Sequence, residues 1–402
     1  MSGLVFTAFS VTSAIGAGQD ATRDALQASR SGLTPCHFAP LPIAAYAGQI
    51  DGLEESALPA PWSEFDCRNH RLAARTLQQD ALMEAVETAK LRYTPSRIGL
   101  FLGTSTSGIL ETEQAYRRRD PVTGALPSTL HYSHTHNTYA LARFVREFLG
   151  LCGPSFVIST ACAATSKVFA SAARMIDAGI CDAALVGGVD TLCGTTLFGF
   201  HALGVIADGP CRPFDAQRNG ISIGEAAGFV LLERLLAQHD EQSVCLLGVG
   251  ESSDAYHMSS PHPDGAGARI AMQQALLSAG LAAEEIDYIN LHGTATVIGD
   301  SAEDQAVSGL FGDIVPCNSS KGFTGHTLGA AGVVGAIFSA LALQGQFIPG
   351  SPHTSTVDPN FRSNYQKTGR EAPLRHILCN TFGFGGVNCS LILGQVGSCR
   401  ST

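Results

Sequence analysis

Charge is what this chain is short of. Of its 402 residues only 15% are Asp, Glu, Lys or Arg, against about 25% in an average globular domain. With 45% hydrophobic residues, much of the chain must be buried, and the low charge also hints at a subunit interface. Basic residues are the scarcer kind: the formal net charge is −10. Neutralising phosphates requires a dominant basic surface, so no nucleic-acid partner is expected. No uninterrupted apolar run reaches the roughly 18 residues needed to cross a bilayer, so no membrane span is expected. The first eighteen residues lack a basic leader, carry Ser, Thr and Gly, and precede the first acidic residue, Asp20; they read as strand and turn rather than as a signal peptide. The twelve cysteines, spread from Cys36 to Cys399, include no pair at C-x2-C spacing. Most are expected to be buried thiols in a reducing compartment, which places the protein in the cytoplasm.

What the chain does have begins with Cys162. Pro154-Ser155-Phe156-Val157-Ile158 has the length and branching of a core strand, and the Ala/Ser-rich run that continues to Met175 and Ile176 has helical length. Between them Ser159-Thr160-Ala161-Cys162-Ala163-Ala164-Thr165-Ser166 delivers a thiol to a helix N-terminus. Unpaired N–H groups and the helix dipole favour a thiolate there. Against this stands the ordinary fate of cysteine, which is simply to be buried.

Three further segments supply what a thiol nucleophile needs. Ile286 to Leu291 reads as a strand ending in His292-Gly293-Thr294-Ala295-Thr296. Asn318-Ser319-Ser320-Lys321-Gly322-Phe323-Thr324-Gly325-His326 places a lysine and a histidine five residues apart. Asn380-Thr381-Phe382-Gly383-Phe384-Gly385-Gly386-Val387-Asn388 is a Gly-rich turn whose exposed N–H groups suit an oxyanion. Each is weak alone; the four in this order are not.

In these segments, and in Cys211-Arg212-Pro213-Phe214-Asp215, Gly224-Glu225-Ala226-Ala227-Gly228, Asp254-Ala255-Tyr256-His257-Met258 and Gly299-Asp300-Ser301-Ala302-Glu303, the chain resembles the elongating, decarboxylating beta-ketoacyl-[acyl-carrier-protein] synthases, the type II ketosynthases of the thiolase-like superfamily. The resemblance spans nearly the whole length. It implies an acyltransferase with Cys162 as acyl acceptor, His292 and His326 as a histidine pair, and Lys321 organising that pair. The oxyanion hole would be the backbone N–H groups of Cys162 and Phe384, with the Phe384 ring as a gate over the thiol. Thr294, Thr296, Phe384 and Thr106 would contact substrate. No metal or other cofactor is implied. The chemistry can be argued directly: two convergent backbone donors stabilise a tetrahedral oxyanion by about 3 kcal/mol each. A pair of imidazole N–H donors suits the enolate formed as a malonyl thioester loses carbon dioxide.

The chain also repeats itself. Ile98 to Thr106 resembles the strand that leads to Gly293-Thr294-Ala295-Thr296, and Ala184 to Asp190 resembles Phe384 to Asn388. Short apolar strands alternating with helical stretches indicate an α/β fold. The resemblance implies a thiolase-like fold, with duplicated βα halves in alternating helix and sheet layers. The boundary is expected at the polar connector Gln238-His239-Asp240-Glu241-Gln242-Ser243: residues 1–240 would carry the nucleophile, 241–402 the histidines and lysine.

An acyl carrier protein is acidic, so a carrier-binding reading requires positive charge near the site. Arg68, Arg71 and Arg75 share one helix face and look like the family's docking stretch; Arg117-Arg118-Arg119 and Arg212, the latter oriented by Asp215, are further candidates. The bland reading of the first group is a solvated face. His131, His134 and His136 have a metal-like spacing, but no Cys or carboxylate accompanies them, and a pocket or dimer loop is the expected role. His257 and His262 are expected in a structural loop flanking the site. Two positions depart from the family. Gly335 stands where a glutamate usually braces the lysine, leaving Glu303 as a substitute. Thr106 replaces a bulky aliphatic side chain at the pocket floor. The departures point to a specialised polyene or polyketide-like pathway. The assembly would be a homodimer, or a heterodimer with a homologous ketosynthase-like chain-length subunit; a noncatalytic role as such a subunit is the alternative.

Overall fold

The computed structural model describes residues 3–38, 44–236 and 239–398. Its main strands are β1 (Leu4–Ser13), β2 (Ile98–Gly103), β3 (Ser155–Ile158), β4 (Ala183–Asp190), β5 (Ala226–Arg234), β6 (Val244–Ser253), β7 (Tyr288–Leu291), β8 (Pro316–Ser319), β9 (Asn364–Tyr365), β10 (His376–Gly383) and β11 (Val387–Gln395). The helices that matter for the site are α1 (Arg68–Leu77), α2 (Ile109–Arg117), α3 (Tyr139–Phe148), α4 (Ala164–Asp177), α5 (Gly194–Ala202), α6 (Ala266–Ala279), α7 (Val297–Phe311) and α8 (Ala331–Gly345).

The strands pair in the order β9-β8-β7-β10-β11-β6-β1-β5-β4-β2-β3. The array is two sheets of like topology. In one, β3, β2 and β4 are parallel and β5 and β1 follow antiparallel. In the other, β8, β7 and β10 are parallel and β11 and β6 follow antiparallel. They join where β1 meets β6 through only two residue pairs, Leu4 with Leu246 and Val5 with Cys245. The expected thiolase-like duplication is therefore present in the pairing itself. Of the two sequence repeats, the first matches β2 to β7, equivalent strands. The second does not hold: the counterpart of β4 is β10, whereas Gly385 and Gly386 form a left-handed turn between β10 and β11, with φ of 82° and 73°. The shared Gly-Gly-Val serves two different backbone needs. The polar connector falls between β5 and β6, with residues 237–238 outside those described.

Because both faces of each sheet are covered, neighbouring strand residues enter different cores, the period-2 alternation of a strand applied to apolar side chains throughout. Leu185, Phe229 and Leu231 pack under α1 and α3 with Leu72, Leu77 and Phe144. Val186, Val230, Ile377 and Leu391 turn to the centre, against α4 and α8. Leu378 and Ile392 face outward onto α6 and α7, with Met272, Val307 and Phe311. Helix, sheet, helix, sheet and helix layers result. The central helices touch closely: a Cβ at Gly332 of α8 would stand 2.2 Å from Ser166 Oγ of α4. The segment Leu328–Gly345 has, among the described residues, the length and hydropathy of a membrane-crossing helix, and is mostly buried between the two sheets.

Candidate active site

The C-terminal ends of both parallel trios converge, and the loops leaving them carry the chemistry, as is general for open α/β sheets. β3 leads into a tight turn in which Ala161 is left-handed, with φ of 50°, Cys162 lies in a single 3-10 turn, and α4 begins at Ala164. A left-handed alanine costs on the order of 1 kcal/mol or more, so the corner is held by its surroundings. β7 ends one residue before His292, and β8, paired in register Leu291 to Ser319, ends two before Lys321. β10 ends at Gly383, immediately before Phe384.

The three reactive side chains meet. His326 Nε2 lies 3.0 Å from Cys162 Sγ, the two imidazole centroids are 5.4 Å apart, and the sulfur and a nitrogen of each ring all lie within 4.8 Å of one another. One backbone donor and one side-chain donor fix the tautomers. Leu328 N–H donates to His326 Nδ1 at 3.2 Å, and Lys321 Nζ donates to His292 Nδ1 at 3.3 Å and also to the His292 carbonyl. With Nδ1 occupied as acceptor in each ring, both present Nε2–H to the site. Burial, then the Lys321 charge, hold both histidines well below the ordinary imidazole range. Cysteine and two histidines are a zinc-type donor set, but the Lys321 ammonium against His292 opposes a cation, and the Nε2–H facing Cys162 would have to be displaced.

Burial pushes the Cys162 thiol up to about 11; the Lys321 charge and the N–H groups of Phe384 and of Cys162 itself pull it down, and Asp190 raises it. The helix-terminus effect expected from the sequence is thus outweighed by desolvation, which disfavours the thiolate. Those same two N–H groups, the donors expected to form the oxyanion hole, thus act electrostatically on the sulfur.

Lys321 forms no ion pair with a carboxylate among the described residues. Glu303 is buried behind the site, where its carboxylate accepts His292 N–H at 2.8 Å and Gly293 N–H at 2.7 Å. Burial raises its pKa to about 7, while its charge acts on Lys321 through space. Glu303 therefore supplies a field rather than the missing salt bridge. Gly335 lies in α8, where its carbonyl accepts from Asn290 Nδ2 at 3.1 Å and Ser339 Oγ at 2.8 Å, and a Cβ would stand 2.8 Å from Cys379 Sγ. A glutamate there would have to displace the Cys379 thiol.

Cys162, His292 and His326 line a cavity of about 380 Å³ with Thr294, Thr296 and Phe384. Thr294 and Thr296 share a hydrogen bond of 2.9 Å, and Thr296 caps α7 at Gly299 N–H. Phe384, 37% exposed, stands 5.8 Å from Phe200 of α5. The loop with His257 and His262 flanks this opening through Ser259, Ser260 and Pro261.

Thr106, expected at the pocket floor, does not line this cavity. It is buried, and its N–H and hydroxyl both donate to Asp190 at 2.7 Å, outside the cavity lining. The docking group also divides. Arg68 is 3% exposed and paired with Glu225 and Glu54, so a carrier protein cannot reach its charge. Arg71 is committed to Asp66 through two bonds of 2.7 and 2.6 Å, and Arg75 donates to the Asp51 carbonyl. The expected solvated face is largely a fold-internal ion-pair layer. Arg117, Arg118 and Arg119 remain exposed at the end of α2. Arg212 is half-buried, 3.8 Å from Asp208, while Asp215 accepts from Gln217, Ser355 and Thr356 N–H and does not orient it. His134 faces Glu64 at 3.5 Å and His136 bonds Thr112, so these two loop histidines point to separate partners, while the His131 ring stands edge-on to that of His134 at 6.3 Å. Sequence reasoning missed Leu328 N–H, a backbone group with no side-chain signature, and Asp190, whose partners come from two distant segments, Thr104 to Thr106 and Ala330.

This fold and Cys-His-His centre define a condensing enzyme of the thiolase-like class. The chain belongs to the beta-ketoacyl synthase family: the model of the N-terminal domain matches residues 2–238 and that of the C-terminal domain residues 244–355. It is 31% identical over 430 aligned positions to 3-oxoacyl-[acyl-carrier-protein] synthase 2 of Vibrio cholerae, covering 98% of this chain and 99% of that one. Among solved structures it is similar to the ketosynthase ApeO in complex with its chain length factor ApeC from Xenorhabdus doucetiae, with 34% identity, a TM-score of 0.88 and 98% of each chain covered. A beta-ketoacyl synthase from Burkholderia phymatum is similar at 28% identity and a TM-score of 0.88, with 98% of this chain and 100% of that one covered.

Proposed function

We propose that this protein is a beta-ketoacyl-acyl-carrier-protein synthase that extends chains by decarboxylative condensation with malonyl carrier protein. The observation that carries this reading is the 3.0 Å approach of His326 Nε2 to Cys162 Sγ, with His292 beside them. The N-terminal half, 1–240, supplies the nucleophile; the C-terminal half, 241–402, supplies the histidines and lysine.

In the first half-reaction Cys162 Sγ bonds the acyl carbonyl carbon, the carrier C–S bond breaks, and the thiol proton ends on the departing carrier thiol. In the second, malonyl thioester loses carbon dioxide, and the bonding pair becomes an enolate held by the two Nε2–H donors. Its carbon attacks the acyl-Cys162 carbonyl, charge collects on the oxygen facing Cys162 N–H and Phe384 N–H, and collapse expels the Cys162 thiolate, which takes up a proton.

Carrier protein would approach the cavity mouth, with Arg117, Arg118, Arg119 and Arg212 as the available positive charge. ApeO was solved in complex with its chain length factor, and similarity to it supports a homologous partner subunit for this chain; with the departure at Gly335 from the family pattern, a specialised polyene or polyketide-like elongation is part of the proposal. Eleven free cysteines among the described residues support a cytoplasmic setting. The alternative, a noncatalytic chain-length subunit, is disfavoured by the intact centre.

Intact-mass spectrometry after incubation with a panel of acyl-carrier thioesters, then malonyl carrier protein, tests the reading. An acyl adduct on Cys162, discharged as a product two carbons longer, supports it and names the preferred substrate. No adduct from any donor, in the presence of a co-purified partner, favours the noncatalytic subunit.

A further inference from the structure

Asp190 ends β4 and is wholly buried. Five donors converge on its carboxylate. Thr104 Oγ1 at 3.0 Å, Ser105 N–H at 2.8 Å, and Thr106 N–H and Oγ1, each at 2.7 Å, reach Oδ1; Ala330 N–H reaches Oδ2 at 3.1 Å. Burial raises its pKa, and these donors oppose that rise, because a protonated acid would set a donor against donors. It does not line the cavity and touches no reacting atom.

The segments it joins are the loop leaving β2 and the turn Leu328–Ala330, which begins two residues after His326. Leu328 is left-handed there, with φ of 51°, a conformation a leucine keeps only under external restraint. Its N–H is the donor on His326 Nδ1. Thr165 of α4 braces the same turn, donating to the Gly329 carbonyl at 2.6 Å and accepting Val333 N–H at 2.9 Å. Ser105, whose N–H is on Asp190, also reaches the Ala161 carbonyl beside the nucleophile at 3.5 Å.

We propose that Asp190 is a positioning residue for the condensation chemistry: by clamping Ala330 N–H to the Thr104–Thr106 loop it sets the Leu328–Ala330 turn, keeping Leu328 N–H on His326 Nδ1 and His326 Nε2–H on Cys162. Without the clamp, His326 is free to carry its proton on Nδ1, and Nε2 then faces the site as an acceptor, of no use to an enolate oxygen.

The inference rests on the condensing-enzyme reading, so its test includes a measurement that needs no turnover. Asp190→Asn keeps the shape but cannot accept every donor. Gly329→Ala disturbs the clamp from the other side, since its Cβ would stand 2.7 Å from Asp190 Oδ2. Each variant is first checked for native far-UV dichroism. In protein carrying 15N-histidine, the native His326 is expected as the Nε2–H form, and the variants are expected to show Nδ1–H form. In turnover, decarboxylation of malonyl carrier protein is expected to lose tenfold or more in kcat with KM within about twofold. Acylation of Cys162, read by intact mass in a single turnover, should change less than threefold. A His326 tautomer unchanged in folded variants overturns the inference, as does an equal loss in both half-reactions. A native protein inactive in both sinks the functional reading while the tautomer result still decides the role of Asp190.

Discussion

His326 Nε2 stands 3.0 Å from Cys162 Sγ across 164 residues of sequence, and the ring is held in that pose from behind by Leu328 N–H. An imidazole whose Nδ1 already accepts a hydrogen bond donates from Nε2 and does not take the thiol proton. His326 is thus a donor to charge that develops at the sulfur and at substrate oxygen, and nucleophile activation falls to Lys321 and the backbone.

Lys321→Met removes a buried charge that lowers the Cys162 thiol as well as both histidines. The thiol, already at about 11 from burial, should rise further. Each unit of rise cuts the thiolate fraction about tenfold, so alkylation of Cys162 by iodoacetamide at pH 8 should slow by about that factor. An alkylation rate equal to the native one would show that the lysine charge does not reach the sulfur.

His70 gives the fold an acid sensitivity. It is buried, stacked 5.0 Å from Phe144, with Nδ1 on the Phe65 carbonyl and Nε2 unpartnered, and burial lowers its pKa from 6.5 to about 4. Below pH 6.5 the unfolded chain binds this proton and the native state does not. Stability from this group is full above 6.5 and is lost as pH falls towards 4, a loss of about 3 kcal/mol. Urea unfolding from pH 7 to pH 4.5 should show that slope, and His70→Phe should flatten it; equal slopes would exclude His70 as the source.

Arg68 and the exposed arginines should separate in their effects. Arg68→Ala leaves Glu225 buried without its partner and should destabilise the protein by about 3 kcal/mol or more, seen as a fall in Tm. Charge reversal at Arg117, Arg118 and Arg119 should leave Tm within a degree or two. It should also weaken carrier binding at low salt by tenfold or more, with a shallower salt dependence. Carrier affinity unchanged by the triple reversal would move docking elsewhere.

Gly335→Ala sets a Cβ 2.8 Å from Cys379 Sγ and should cost about 1–3 kcal/mol through overpacking, most of it recovered by adding Cys379→Ala. Restoring the family glutamate, Gly335→Glu, should fail to yield stable protein. A stable and active Gly335→Glu enzyme would mean that α8 shifts to admit the side chain.

The chain itself determined the nucleophile, the two histidines, the lysine and the Gly-rich turn, because each sits in a local signature: a strand that ends in small residues, a histidine or lysine just beyond it, glycines where the backbone turns left-handed. Short apolar strands alternating with helical stretches likewise made the layered α/β fold legible. Charge was misread for a reason equally physical. Arg68, Arg71 and Arg75 look like a docking face on a helical wheel, and only the approach of Glu225 and Asp66, the former from far along the chain, turns two of them inward. The same holds for Thr106, whose hydroxyl belongs to Asp190, and for the thiol, which the helix terminus favours and burial opposes more strongly. Hydrogen-bond partners and desolvation are sums over segments that meet only in the folded state, so tautomers, pKa directions and the choice between surface and interior were decided by the tertiary structure.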